Sequence, residues 1–316
     1  MTLENLKKWL NQNKKLVIIY SVLVVLLTIS SGLSPTFRSI GNIGNLLHRA
    51  TPLLVIALGQ TMAVLLTGLD LSVGPMASLA TVIVAVSMGD TLYSIALSVG
   101  LVLLVGCLVG GFNGVAISKL KIHPLIATLS TMAIVQGISL WILPQPGGNL
   151  PDNFVDVMSF KVGPFSVSFM LFVIIAAGLY VILNHTPFGR HVYAVGGKEE
   201  SASVSGLPVD RIKISVFTMS GLLAAFGGLV LSTRIASGDP TVGAPLTLDS
   251  LTAVLMGGTT FAGGRGGIGG SIAGVLILIV LKNIFNFVGV HAYWQHVFRG
   301  VILMAAILAY SLRSTR

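Results

Sequence analysis

Charged side chains make up only 9% of this 316-residue sequence, where an ordinary soluble domain carries about a quarter. The scarcity excludes a solvated surface of normal size and places the chain in a bilayer. The single cysteine, Cys107, lies in an apolar run, so neither a disulfide framework nor a cysteine-based metal site is available. Six histidines are scattered without an HxxxH pair, and no two carboxylates stand at catalytic spacing. Metal and acid–base chemistry are thereby left without a constellation. No GxxxxGK[ST] occurs, because Lys198 of "GGK" is followed by Glu199, so the chain has no phosphate-cradling loop. "GRGGIG" at 264–269 satisfies GxGxxG, but no strand precedes it and the position twenty residues on is Gly289 rather than an acid. A dinucleotide site is excluded on that ground.

What the sequence has in quantity is apolar residues, 54% of the total, and 37 glycines. The mean hydropathy is +0.92. Apolar runs that cover about 30 Å of hydrocarbon, or nearly so, fall at 16–33, 51–67, 70–89, 92–117, 124–143, 165–184, 212–233, 247–262, 268–287 and 294–312. The expected fold is therefore all-α and polytopic, a single transmembrane domain over 1–316 with about ten membrane helices. The first run also fits a cleaved signal peptide, with Lys7, Lys8, Lys14 and Lys15 before it and Ser30 and Gly32 near a cleavage position.

The net charge of +9 comes from short loops with no basic block, which points to topology rather than to nucleic acid. With the N-terminal segment 1–15 in the cytoplasm, thirteen of the nineteen Lys and Arg residues fall inside. They are the four N-terminal lysines, Lys119, Lys121, Arg190, Lys198, Arg211, Lys213, Arg265, Arg313 and Arg316. Arg38, Arg49, Lys161 and Arg234 fall outside, and Lys282 and Arg299 within spans. The positive-inside rule thus puts both termini in the cytoplasm. Ser34–Ala50 and the Pro- and Gly-rich loop 144–164 become external segments, the latter an external cap. The segment 234–245 is expected to dip before the eighth span.

Gly106, Gly110 and Gly114 stand four apart, as do Gly266, Gly270 and Gly274, a spacing that suits close helix packing. Glycine-rich hairpins precede both 70–89 and 268–287, a faint sign of internal symmetry. Asp249 is expected to cap the first turn of its helix, and Lys282 and Arg299 to snorkel outward. Asp70 in "GLDLSVG" either caps the next helix or gates a path. Gln60, Thr61, Ser72, Asn113, Thr128, Thr131 and Gln136 are polar residues within or beside spans that would line that path or bond between helices.

The longest cytoplasmic loop, 185–211, contains "GGKEESASVSGLPVDR", which favours a two-turn helix over about 198–205. Glu199 and Glu200 sit at its positive dipole end, Gly206 can take the left-handed stop, and Pro208 blocks resumption. So short a helix is marginal alone, and its Ser- and Glu-rich face suits a protein groove better than an anionic membrane surface.

This segment, with "TGLDLSVG" at 67–74, "GGFNGVAISKLKIHPLIATLSTM" at 110–132 and "GGTTFAGGRGGIGGSIAGV" at 257–275, resembles the ribose/xylose/arabinose-type ABC sugar permeases. The resemblance covers most of the chain from about residue 50. In the cytoplasmic coupling segment of that family the matching positions are Gly196, Gly197, Glu199, Glu200, Ala202, Ser205 and Gly206. Ser201 and Ser203 depart from the usual alanine and larger or basic residue, and Pro208 is less usual.

The resemblance implies an ABC importer permease subunit, a transporter and not an enzyme, in the inner (cytoplasmic) membrane of a bacterial cell. It implies a second permease subunit, identical or closely related, and an ABC ATPase subunit that binds ATP and Mg. It also implies a periplasmic or extracytoplasmic sugar-binding protein that delivers a monosaccharide in pentose, hexose or furanose form. An ion-coupled secondary transporter is the alternative, predicting a charged midplane site and broken half-helices. A branched-chain amino-acid permease is a more distant one.

Overall fold

The computed structural model describes residues 14–33 and 35–291, with 293–295, 297, 298, 300, 301 and 304. Helix α1 (Lys14–Leu33) leads through a 3-10 turn (Pro35–Arg38) into α2 (Ile40–Leu65), and α3 (Val73–Ser87), α4 (Leu92–Ser118) and α5 (Pro124–Ile142) follow. A short helix α6 (Asp152–Ser159) and a two-residue hairpin, β1 (Lys161–Val162) with β2 (Phe165–Ser166), precede α7 (Val167–His185). Then come α8 (Pro187–Gly197), α9 (Glu199–Val204), α10 (Val209–Ile235), α11 (Ala244–Met256) and α12 (Ile268–Phe287).

Each predicted span through 268–287 coincides with a helix. The tenth, with Arg299, falls largely outside the described residues, as do segment 1–13, Arg313 and Arg316. By length and composition α4, α5, α7, α10 and α12 could each cross a membrane, while α3, α11 and Leu16–Gly32 of α1 are shorter apolar helices. Helix α1 packs on α12, where Leu23 is buried with Ile277 and Val280 and the Tyr20 hydroxyl donates to Gly269 O at 3.0 Å.

Helix α10 is the central pillar, contacting α2, α3 and α4. A Cβ at Gly106 would strike Gly221 O and Ala225, one at Gly110 Phe217 O, and one at Gly114 Ile214. The expected packing seam is therefore real, and its partner is α10. The second glycine series is only partly a seam. Gly270 and Gly274 lie against Gly257 and Ala253 of α11, whereas Gly266 precedes the helix at φ +126° and abuts Thr259.

Several boundaries differ from the sequence expectation. Helix α2 absorbs 40–50 of the expected external segment and continues through Pro52. Ser39 caps it by accepting from Asn42 N at 3.2 Å. Helix α11 stops at Met256, not near 262, because Gly257 and Gly258 turn the chain, Gly258 at φ +82°. Pro208 does not block helix but immediately precedes one, as N-cap of α10.

Asp249 is not in a first turn but in the middle of α11, and Lys282 does not snorkel away. The Lys282 ammonium meets the Asp249 carboxylate at 3.0 Å, with Asp249 buried. Removing one partner of a fully buried pair costs on the order of 3–5 kcal/mol, less here because the Lys282 side chain is 36% exposed, whereas replacing both partners is often neutral. Lys282→Met is accordingly expected to lower the thermal midpoint of the detergent-purified protein. Adding Asp249→Leu should restore much of the loss, which a thermal melt of the three variants would check.

The contacts sort the loops into two ends. At one end Leu65 O accepts from Gly264 N at 2.9 Å, Gly196 lies against Leu65, and Lys119 pairs with Asp210 at 2.8 Å. At the other, Gly147 and Gly238 bond to each other, Lys161 donates to Asn45 at 2.8 Å, and Arg234 donates to Arg49 O at 3.3 Å. Of the basic residues in these contacts, Lys119 lies at the first end and Arg49, Lys161 and Arg234 at the second. Segment 236–243 dips as expected, from Gly238 beside Ala85 to Gly243 beside Gly74 and Ser78.

Candidate functional site

The loop between α2 and α3 returns into the bundle instead of leaving it. Gly68 lies against the Phe217 ring of α10, and Asp70 is fully buried. A buried carboxyl needs several donors, since each unmatched polar group in an apolar interior costs a few kcal/mol. Asp70 finds them within two turns of chain and across the bundle. Its Oδ1 accepts from Ser72 N at 3.0 Å and from Ser72 Oγ at 2.5 Å, and its Oδ2 accepts from Ser220 Oγ of α10 at 2.7 Å.

The network continues outward from Ser72. Asn113 of α4 donates through Nδ2 to Ser72 Oγ at 3.0 Å, and its Oδ1 accepts from Thr131 Oγ1 of α5 at 2.6 Å. Thr128, one turn earlier on α5, donates to Leu69 O at 2.9 Å. Three helices and one returning loop are thus joined through six side chains, all buried. Such chains of bonds polarise one another, and breaking one member leaves the next unsatisfied.

Asn113 and Thr128, far along the chain from Asp70 and Ser72, therefore meet them at one place. Gln136 does not join them; its Nε2 donates to Pro240 O of the dipping segment at 2.8 Å. Gln60 is also separate. Its amide is fully buried in α2, and neither its nitrogen nor its oxygen has a hydrogen-bond partner among the described residues. Thr61 beside it bonds instead with Ser271 of α12 at 2.6 Å. Ser220 escaped the sequence reading. The signal was a lone hydroxyl in "MSGLLAAFGG", too common in membrane helices to single out.

The short helix expected at about 198–205 is present as α9 over Glu199–Val204. Gly206 takes φ +79° and its N–H bonds to Ser203 O at 2.9 Å, while Leu207 N bonds to Ala202 O at 3.1 Å. This double closure is the glycine-dependent stop expected there. Ala202 is buried and Ser205 Oγ donates back to Ser201 O at 2.8 Å. Glu199 accepts from Lys213 of α10 at 2.6 Å, while Glu200, Ser203 and Val204 are exposed. Beside them opens a groove lined by Lys119, Lys121, Ser203, Pro208 and Arg211.

Helix α8, absent from the sequence expectation, supports α9 from behind. Thr186 caps it and Pro187 occupies its first turn. Gly196 fits against Leu65 O, a place where a Cβ would clash with backbone, whereas Gly197 has open space around it. Tyr193 donates to Gly266 O at 3.0 Å, and burial pushes its phenol above the usual range, so it remains a donor.

Among the described residues no group of three or more His, Cys, Asp or Glu could hold a metal ion. Residues 42–307 match the family described as branched-chain amino acid transport system / permease component. The chain is 36% identical to the ribose import permease protein RbsC of Haemophilus influenzae over 302 residues, covering 94% of this chain and 93% of that one. It is 39% identical to RbsC of Bacillus subtilis over 293 residues, 90% and 89% of the two chains. It is 34% identical to the galactose/methyl galactoside import permease protein MglC of Escherichia coli K12 over 317 residues, 94% of each. No solved structure matches the chain significantly. The chain therefore belongs to this family of transporter permease components, multi-pass membrane proteins, and the resemblance to monosaccharide ABC importer permeases holds over nearly its whole length.

Proposed function

We propose that this chain forms the transmembrane path of an ABC importer for a monosaccharide, a pentose, hexose or furanose. In this reading two copies, or this chain and a close relative, span the bacterial inner membrane as single domains with both termini in the cytoplasm. An extracytoplasmic binding protein delivers the sugar at the 144–164 end, and an ABC ATPase subunit, carrying ATP and Mg, grips α9. The relatives named for ribose and galactose support a sugar over a branched-chain amino acid. No further cofactor and no nucleic-acid partner are invoked.

The observation that carries the mechanism is the double attachment of α10. Near its start Lys213 holds Glu199 of the docking helix, and seven residues on Ser220 holds Asp70. Two turns of helix, about 10 Å, separate the two bonds. A push on α9 is passed along one rigid element to the bond that closes the Asp70 network. Opening that network would free Asp70, Ser72, Asn113 and Thr128 to meet sugar hydroxyls. Gln60 and Gln136 line the same path, and the unpartnered Gln60 amide keeps its bonding capacity for a passing hydroxyl or water.

The test is Lys213→Met in the complete transporter, reconstituted with its ATPase and binding protein. Sugar moved per ATP hydrolysed should fall at least tenfold, with only a modest fall in thermal midpoint, because methionine keeps the apolar stem of the 12%-exposed Lys213 and the Glu199 left behind is 45% exposed to water. An unchanged ratio would separate α9 from the Asp70 network and refute the lever.

A further inference from the structure

The turn that carries Asp70 occurs twice. "DLSVGPMASLAT" at 70–81 and "DPTVGAPLTLDS" at 239–250 agree in kind at seven of twelve positions, including Asp70 with Asp239, Ser72 with Thr241, and Gly74 with Gly243. The internal symmetry expected between the hairpins before 70–89 and 268–287 is thus found instead between 70–81 and 239–250. Asp239 Oδ1 accepts from Thr241 N at 2.7 Å and Thr241 Oγ1 at 2.8 Å, the same pair of bonds that Asp70 Oδ1 makes with Ser72. Further on, Thr81 Oγ1 donates to Ser78 O at 2.8 Å and Ser250 Oγ to Thr247 O at 2.9 Å, again at equivalent positions.

The two turns are related in space as well. Each precedes a half-length helix, α3 or α11, entered from opposite ends of the bundle. A Cβ at Gly74 would strike Gly243 O, and a Cβ at Gly243 would strike Gly74 O. Ser78 Oγ accepts from Gly243 N at 2.8 Å, and the matching Thr247 hydroxyl lies against Gly74. Helix α2 runs toward the 185–211 end and α10 away from it, so the halves are inverted. The same spacing of 169 residues that separates Asp70 from Asp239 separates Thr51 of α2 from Ser220 of α10.

The symmetry is broken in one respect, burial. Asp70 and Ser72 are sealed, whereas Asp239 is only half-buried and Thr241 is exposed. Ser220 donates to Asp70, while its counterpart Thr51, also buried, donates to Leu47 O of its own helix at 2.9 Å. Because the local bonds of the two turns are alike, exchanging their roles costs nothing within either turn. The states differ only in which turn is drawn against the bundle, the condition inverted halves supply for alternating access.

We propose that Asp239 is a second gate residue of the transport cycle, the counterpart of Asp70. As the Asp70 turn is released from Ser220 and Asn113, the Asp239 turn is drawn in and takes the hydroxyl of Thr51. The inference rests on the reading of the Asp70 network as a closure of the path.

The complete transporter tests it, in a Cys107→Ala background with a single thiol from Ser72→Cys or Thr241→Cys. Val73→Cys and Val242→Cys, the next equivalent pair, replace them if uptake is lost. A small methanethiosulfonate reagent reads the two thiols without nucleotide and after trapping with ATP and orthovanadate. The labelling rates should change at least tenfold in opposite directions. Changes in the same direction, or a change at 72 alone, would overturn the exchange while leaving the Asp70 closure standing. A rate at 72 that never changes would instead overturn the closure itself and the exchange with it. Thr51→Val should slow uptake at least fivefold and Thr51→Ser should not; normal uptake by Thr51→Val also overturns the proposal.

Discussion

Gly206→Val is expected to abolish the stimulation of ATP hydrolysis by the loaded binding protein while the membrane helices stay folded. Gly206 sits at φ +79°, where a side chain costs about 1–2 kcal/mol and a β-branched one more. Helix α9 has six residues and no cooperative reserve with which to absorb that cost. Relieving the strain would break the closing bonds from Gly206 to Ser203 and from Leu207 to Ala202, and so turn the exposed Glu200, Ser203 and Val204 away from their docking position. The bundle itself would feel little, since among the described residues no neighbouring atom lies within 4 Å of a Cβ at 206. Basal ATP hydrolysis, stimulated hydrolysis and far-UV helix content are the three readouts. Normal stimulation would show that α9 is a connector and not a docking element.

The second large effect belongs to the α4–α10 seam. Gly110→Leu places a branched side chain where even a Cβ would overlap Phe217 O. Overpacking a well-packed core typically costs about 1–3 kcal/mol, and a backbone wall that cannot yield raises the figure. Separating α4 from α10 would also carry Asn113, three residues further along α4, away from Ser72 and strand the buried bonds of the network. The expected result is a fall of about 10 °C or more in thermal midpoint, with uptake lost in parallel. Gly178→Leu is the control, because none of the described residues comes within 4 Å of a Cβ there. Equal melting of the two variants would mean that the seam is not what holds α4 in place.

The sequence carried the order of the apolar helices through 268–287 and the stop at Gly206, because each rests on a local pattern. Apolar length, loop composition and left-handed glycine are all readable within about twenty residues. The meeting of Asp70, Ser72 and Asn113 was less legible. Polar residues in spans were visible one by one, but only the returning loop and the glycine seam bring α3, α4 and α10 to one point. Asp249 and Lys282 were misplaced for a related reason. The apolar run announced this helix only from 247, whereas it begins at Ala244, so Asp249 looked terminal and Lys282 looked free to reach the interface. The repeat at 70–81 and 239–250 was present in the letters all along. It was masked because Ser and Thr interchange and Pro75 and Pro245 differ by one position.

The central claim is that this chain is a permease whose path is worked by a separate ATPase and fed by a sugar-binding protein. Reconstitution into vesicles tests it most directly, with purified chain, ATPase subunit and binding protein, and labelled ribose, galactose and other monosaccharides outside. The account predicts uptake of at least one sugar that requires all three proteins and internal ATP and is indifferent to sodium and proton gradients. Uptake by this chain alone, driven by an ion gradient and unaffected by ATP, would contradict it.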